Sequence, residues 1–152
     1  MTVGAVEEIV YRGLIFNSFR KYCGESPKGI YRAVFLSAAV FGTAHIINLI
    51  FAPALVIATI TQVVYAFFFG VLFAVIYYRT GNLLPCIIMH GVFDFASSFW
   101  TCFAKDIDKQ INVLNTTDMD IVSVLIIIGL FSTFLISGLL QLKKIFKQRQ
   151  IA

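Results

Sequence analysis

Charge is what this chain has least of. Asp, Glu, Lys and Arg make up 13% of its 152 residues and 59% of them are hydrophobic, whereas a soluble domain averages ~25% charged residues. So few charges cannot solvate a globular surface, but helices that face lipid need none. The net charge of +4 does not imply nucleic-acid binding, because nine of the twelve Lys and Arg fall at helix ends. That is the pattern of a positively charged cytoplasmic rim, and no nucleic-acid partner is expected. Cysteine is equally sparse. Cys23, Cys86 and Cys102 form no CxxC spacing and are odd in number, so neither a disulfide framework nor a thiolate zinc site is indicated. Cys86 and Cys102 lie in apolar runs and read as packing residues. There is no HExxH and no internal repeat. The basic start of a cleavable signal peptide is missing, with Glu7 and Glu8 in its place.

What is present is long apolar segments. The pattern predicts an all-α, polytopic transmembrane bundle of about five helices in one domain spanning 1–152. The segments run from about Val3 to Phe19, Ile30 to Phe51, Pro53 to Tyr78, Leu83 to Phe103 and Met119 to Leu142. Pro53 and Pro85 suit opening turns, where a missing N–H is harmless. Segments two to five hold the ~20 residues needed to span ~30 Å of hydrocarbon, and the first is shorter. Gly42, Gly70 and Gly91 mark sites of close helix contact. Trp100 sits where an interfacial aromatic belt belongs. Gln62, with Thr59 and Thr61, reads as polar glue between helices or as cavity lining.

The connections alternate in charge. Arg20, Lys21, Lys28 and Arg32 surround the first, Arg79 marks the third, and Lys143, Lys144, Lys147 and Arg149 form the tail. The second, around Ala52, is uncharged. The fourth holds Asp106, Asp108, Asp118 and Asp120 against Lys105 and Lys109. This alternation predicts a multi-pass protein with its tail in the cytoplasm, in the plasma membrane if the cell is bacterial.

Six ionisable residues interrupt the apolar segments: Glu7, Glu8, Arg12, His45, His90 and Asp94. Each costs ~2.5–3.5 kcal/mol on insertion scales, which makes it a functional candidate by default. Glu8 and Arg12 are four apart and able to pair on one helix face. Glu7 is turned ~100° from Glu8, which leaves it free to take a proton. Phe41 and His45 are four apart, with Asn48 one turn on. His90 and Asp94 are also four apart, and a carboxylate one turn from an imidazole can accept its N–H and fix its tautomer. The alternative is a solvated helix end for the first group and satisfied core histidines for the others.

These spacings resemble a known family. Glu7 to Arg12 is similar to the EExxxR motif of the CAAX protease and bacteriocin-processing (CPBP, or Abi) membrane family, Phe41 to His45 to its FxxxH motif, and His90 to Asp94 to its HxxxN/D motif. The resemblance covers Glu7 to Asp94. It implies an intramembrane endopeptidase acting on a prenylated-protein or other peptide substrate in membrane lipid. Glu7 and His45 would activate water, and His90 and Asp94 would stabilise the oxyanion. Glu8, Arg12 and Phe41 would give structural support. The prenyl-protein branch carries Asn where this chain has Asp94, and an ionised carboxylate repels an oxyanion. Asp94 must then be protonated, orient His90 or bind a metal. No cofactor is required as first choice, although Glu7, His45, His90 and Asp94 offer a zinc-type donor set. Family members usually carry helices before the EExxxR helix, so the chain reads as a minimal member or as one lacking its N-terminal helices.

Three rival readings keep the same residues: a non-enzymatic bacteriocin-immunity or binding protein, a proton-coupled transporter, and a bis-histidine haem protein using His45 and His90. The protease reading requires Glu7, His45, His90 and Asp94 to converge on one cavity. The charge alternation yields its own prediction. A cysteine probe beside Asp108 is expected to react with an impermeant reagent outside intact cells, and one at Lys147 is not; the reverse pattern refutes the topology.

Overall fold

The computed structural model describes residues 2–103 and 121–151. Among these the fold is all-α, with five helices, the first four joined by short turns. The first, α1, is α-helical over Thr2–Glu8, π-helical over Ile9–Phe16 and α-helical again over Asn17–Cys23. Its widened middle follows from its buried face. Gly4, Glu8, Arg12 and Phe16 are all buried and spaced by four. In a regular α-helix each four-residue step drifts ~40° around the axis, so this stripe would wind away from its partners. The wider π turn keeps Glu8, Arg12 and Phe16 facing the bundle.

The second helix, α2, opens with Ser26 capping Gly29 N–H and Pro27 in the first turn. It is α-helical over Pro27–Ala44, tightens to 3-10 geometry over His45–Ile47 and ends with Asn48–Phe51. The third, α3, spans Val56–Thr80. It begins later than the sequence suggests, because Pro53 and Ala54 sit in a turn closed by a Leu55 N–H bond to Ala52 O. A proline fits there, since its fixed φ is preset for a turn and its missing donor is not needed. The left-handed Gly81, at φ +64°, terminates α3. Helix α4 covers Leu84–Phe103, with Asn82 Oδ1 accepting from Leu84 N–H and Pro85 in the opening turn. Helix α5 covers Ile121–Ile151, extending past the expected end at Leu142.

Helices α2, α3 and α5 are long and apolar enough to cross a membrane, and α4 adds a shorter apolar stretch over Leu84–Ala96. This is an integral membrane architecture. The acidic connection with Lys105, Asp106, Asp108, Lys109, Asp118 and Asp120 lies outside the described residues, as do the side chains of Trp100 and Cys102.

Helix α3 is the central element, packed against both α2 and α5. Phe16, Ile30, Val34, Ala38, Val71, Val75, Tyr78 and Leu142 form one continuous buried cluster. It fills the half of the bundle next to the basic connections. There Arg149 Nη1 donates to Tyr78 Oη at 2.7 Å, the Arg20 guanidinium lies 5.2 Å from the same ring, and Arg79 Nη1 reaches Gln141 Oε1 at 3.5 Å. Basic residues of the first connection, the third connection and the tail therefore share one end, as charge alternation requires.

Gly42 and Gly70 permit the close approach of α2 and α3, since a Cβ would lie 2.8 Å from Val63 O at the first and 2.9 Å from the Cα of Ala38 at the second. Gly129 on α5 has no neighbour within 4 Å of its virtual Cβ. Gly70→Ala is expected to destabilise by ~1–3 kcal/mol through overpacking. Gly129→Ala should be neutral or stabilise by up to ~1 kcal/mol through helix propensity. Thermal melting of the two variants in detergent distinguishes the positions.

Candidate active site

Glu8 is fully buried on α1, and one of its oxygens does two jobs. Oε1 accepts from Arg12 Nη1 at 3.0 Å and from His90 Nδ1 of α4 at 2.7 Å. Arg12, only 2% exposed, lies with its guanidinium carbon 4.4 Å from the Phe41 ring centre and 5.2 Å from that of Phe73. A cation between aromatic faces is attracted by both ring quadrupoles. The charge is thus neutralised by Glu8 on one side and solvated by rings on the others. That arrangement makes burial of an arginine within an apolar bundle tolerable.

The Glu8 contact decides what His90 can do. A carboxylate accepts, so Nδ1 carries the hydrogen, and Nε2 is left for chemistry. Nε2 lies 3.5 Å from Glu7 Oε2 and 3.7 Å from Asp94 Oδ1. Neither is tight enough for a strong hydrogen bond. Unlike Glu8, the Glu7 and Asp94 side chains are accessible, at 31% and 37%. The adjacent glutamates therefore occupy different environments: Glu8 faces the core and Glu7 faces the open side.

His45 is oriented by its own helix. Its Nδ1 lies 3.0 Å from Phe41 O, a carbonyl that can only accept, so in the neutral His45 ring Nε2 keeps the lone pair. The Phe41 ring stands edge-on to both His45 and His90, at centroid distances of 5.3 and 6.0 Å. A cavity of about 80 Å³ lies beside these rings. It is lined by Phe41, His45, Gln62, Tyr65, Ala66, Phe69, Phe73, His90, Phe93 and Asp94. At ~30 Å³ per liquid water it admits two or three waters.

Of the residues anticipated from sequence, His45, His90 and Asp94 line this cavity; Glu7 is not among its lining residues and stands 3.5 Å from His90 Nε2. Phe41 forms part of its wall. Two features differ from expectation. The residue that fixes the His90 tautomer is Glu8, not Asp94, because Asp94 lies beside Nε2, beyond hydrogen-bond distance. Glu8 also holds a catalytic candidate in addition to clasping Arg12. Gly4 escaped notice although it extends the four-residue stripe to Glu8 and Arg12. A Cβ there would stand 3.1 Å from Asp94 Oδ2 and 3.2 Å from His90 Cγ, so α1 and α4 meet at this point because position 4 has no side chain. The aromatic wall of Tyr65, Phe69, Phe73 and Phe93 carried no sequence signal beyond apolarity.

Among the described residues no three His, Cys, Asp or Glu side chains assemble into a metal-binding group.

The model of a protein family described as Rce1-like, type II CAAX prenyl endopeptidase, matches residues 1–96. That range holds α1, α2, α3 and the cavity-lining part of α4. No curated protein and no solved structure matches the chain.

Removing Glu8 leaves Arg12 buried without its counter-charge and His90 Nδ1 without its acceptor. Glu8→Ala is expected to destabilise by ~3–5 kcal/mol, and Glu7→Ala, at an accessible position, by under ~1 kcal/mol. Comparing the two melting curves in detergent tests the assignment, and equal losses would contradict it.

Proposed function

Because the chain belongs to the Rce1-like, type II CAAX prenyl endopeptidase family, we propose that it is an intramembrane endopeptidase. It hydrolyses a peptide bond in a lipid-anchored, CAAX-like or otherwise membrane-associated peptide, and its basic end, with the tail, belongs to the cytoplasm. The observation that carries this reading is the pairing of an accessible Glu7 with an Nε2 of His90 that Glu8 holds in place from behind.

Peptide hydrolysis needs a base for water and donors for the oxyanion. Glu7 takes a proton from a cavity water while the lone pair of His45 Nε2 orients it. The resulting hydroxide forms a C–O bond to the scissile carbonyl. His90, protonated at Nε2, donates to the oxyanion, with Glu8 as counter-ion at Nδ1. The proton held by Glu7 then passes to the amine nitrogen as the C–N bond breaks. Asp94, 3.7 Å from His90 Nε2, supports the charged imidazole. Glu8 and Arg12 are positioning residues, since they act through His90. No metal is needed for these steps, so a chelator should leave the rate unchanged.

The test is a pair of variants, purified and normalised to folded protein, with cleavage of a farnesylated peptide as the readout. Glu7→Gln is expected to fold normally and to lose at least ~100-fold in kcat, the low end of general-base contributions. Glu8→Gln is expected to lower stability. It should also shift the pH profile of kcat in whatever folds, because it changes the partner of His90 Nδ1; a merely structural residue would leave that profile in place. If both variants cut like the parent chain, the protease reading fails and the immunity-protein reading replaces it.

A further inference from the structure

Attack on a peptide carbonyl places a full negative charge on its oxygen, and hydrolytic sites meet that charge with more than one hydrogen-bond donor. In the mechanism proposed for this chain a single donor, His90 Nε2, faces it. Asp94 Oδ1, 3.7 Å from that nitrogen, adds a negative charge nearby, which makes a second donor all the more necessary. In a wall built of helices the backbone N–H groups are bonded within their own helix. The missing donor must then be a side chain.

The lining of the cavity narrows the choice. Half of its residues are Phe or Ala, which carry no polar hydrogen on the side chain. Asp94, as a carboxylate, only accepts. The neutral His45 ring spends its one N–H on Phe41 O. Among the described residues that line the cavity, Gln62 and Tyr65, both on α3, are left.

Their surroundings separate the two. Gln62 Oε1 accepts from Asn48 Nδ2 at 2.9 Å, which ties that amide to α2, the helix of His45. Tyr65 packs toward α4 and α5. Its ring centre lies 6.5 Å from that of Phe93, the residue before Asp94, and 4.7 Å from that of Phe131. The Asp94 carboxylate acts electrostatically on its hydroxyl, so the phenol belongs to the side of the cavity where Asp94 adjoins His90 Nε2. A phenol ionises only near pH ~10 and keeps its proton at neutrality. Held between aromatic rings of two helices, it is a donor already in place before reaction, which is what stabilisation of a developing charge requires.

We propose that Tyr65 is a further catalytic residue, whose hydroxyl donates a second hydrogen bond to the oxyanion alongside His90. Its proton stays on the phenol oxygen throughout, and no bond to Tyr65 forms or breaks. Through Phe131 the ring also brings α5, which lies outside the family-matched residues 1–96, into contact with the site. This rests on the protease reading above.

Tyr65→Phe removes one oxygen and keeps the ring. Purified in detergent and assayed with farnesylated peptide, it is expected to melt with the parent chain and to hold its KM. Its kcat should fall by ~100-fold or more, the low end for loss of one oxyanion donor. Gln62→Leu, which deletes the other available donor, should keep kcat close to that of the parent chain. Binding separates the charged state from the ground state without turnover. A phosphinate analogue of the peptide, whose P–O⁻ imitates the oxyanion, should bind Tyr65→Phe more weakly by ~10-fold or more, the value of a hydrogen bond to a charged group. An uncleavable peptide, N-methylated at the scissile amide, should bind both chains alike. Equal weakening of the two ligands, a raised KM with kcat retained, or a Tyr65→Phe chain that does not fold shows a structural hydroxyl and overturns the proposal. Loss of kcat in Gln62→Leu alone transfers the role to that amide and also overturns it. If Tyr65→Phe cuts at the parent rate, the proposal fails and the protease reading stands. If the folded parent chain cleaves nothing, the protease reading fails and this proposal with it.

Discussion

A carboxylate and a guanidinium buried in a bundle of apolar helices impose a constraint that the surrounding structure must meet. Glu8 and Arg12 are joined at 3.0 Å with almost no exposure. An uncompensated charge in such a place would cost several kcal/mol, so the elements that carry its partners cannot shift independently. The π segment of α1 keeps both residues facing inward. Phe41 of α2 and Phe73 of α3 flank the guanidinium. His90 of α4 gives Glu8 its second hydrogen bond. Four helices are therefore tied to one charged pair, which also makes the pair an effective ruler for the candidate catalytic side chains.

This arrangement assigns opposite roles to adjacent residues. Glu7 and Glu8 are neighbours in sequence, yet one is accessible beside Nε2 of His90 and the other is sealed against Nδ1 of the same ring. The imidazole is thus gripped from one side and exposed on the other. Orientation by a buried acid and chemistry at the far nitrogen is the division of labour seen in hydrolytic triads. Here it arises between two residues of a single helix turn.

The bundle is likewise divided along its length. At the basic end, aromatic and branched aliphatic side chains close around Tyr78. Toward the α2–α3 turn, the 3-10 stretch at His45–Ile47 and the tight turn at Pro53 and Ala54 interrupt the regular helices, and polar groups replace apolar ones. His45, Gln62 and Asn48 mark that change. Irregular backbone at such depth is tolerable where it borders a cavity, because its polar groups are then not left to lipid.

The sequence alone determined the membrane class and the number of helices, and it singled out the candidate site residues. Those properties follow from local composition: apolar runs of spanning length, basic residues in alternate connections, and ionisable groups too costly to be incidental. Spacing by four likewise foretold the Glu8–Arg12 pair, because one helix suffices to bring those side chains together. What required the tertiary structure was every relation between helices. Nothing local indicates that Glu8 bonds to His90, 82 residues away, or that Gly4 must be small for α1 to meet α4 at Asp94. Local spacing pointed to Asp94 as the partner that fixes the His90 tautomer, since the two share a helix face. The folded chain gave that role to Glu8, because a fully buried carboxylate needs the hydrogen bond more than an accessible one does.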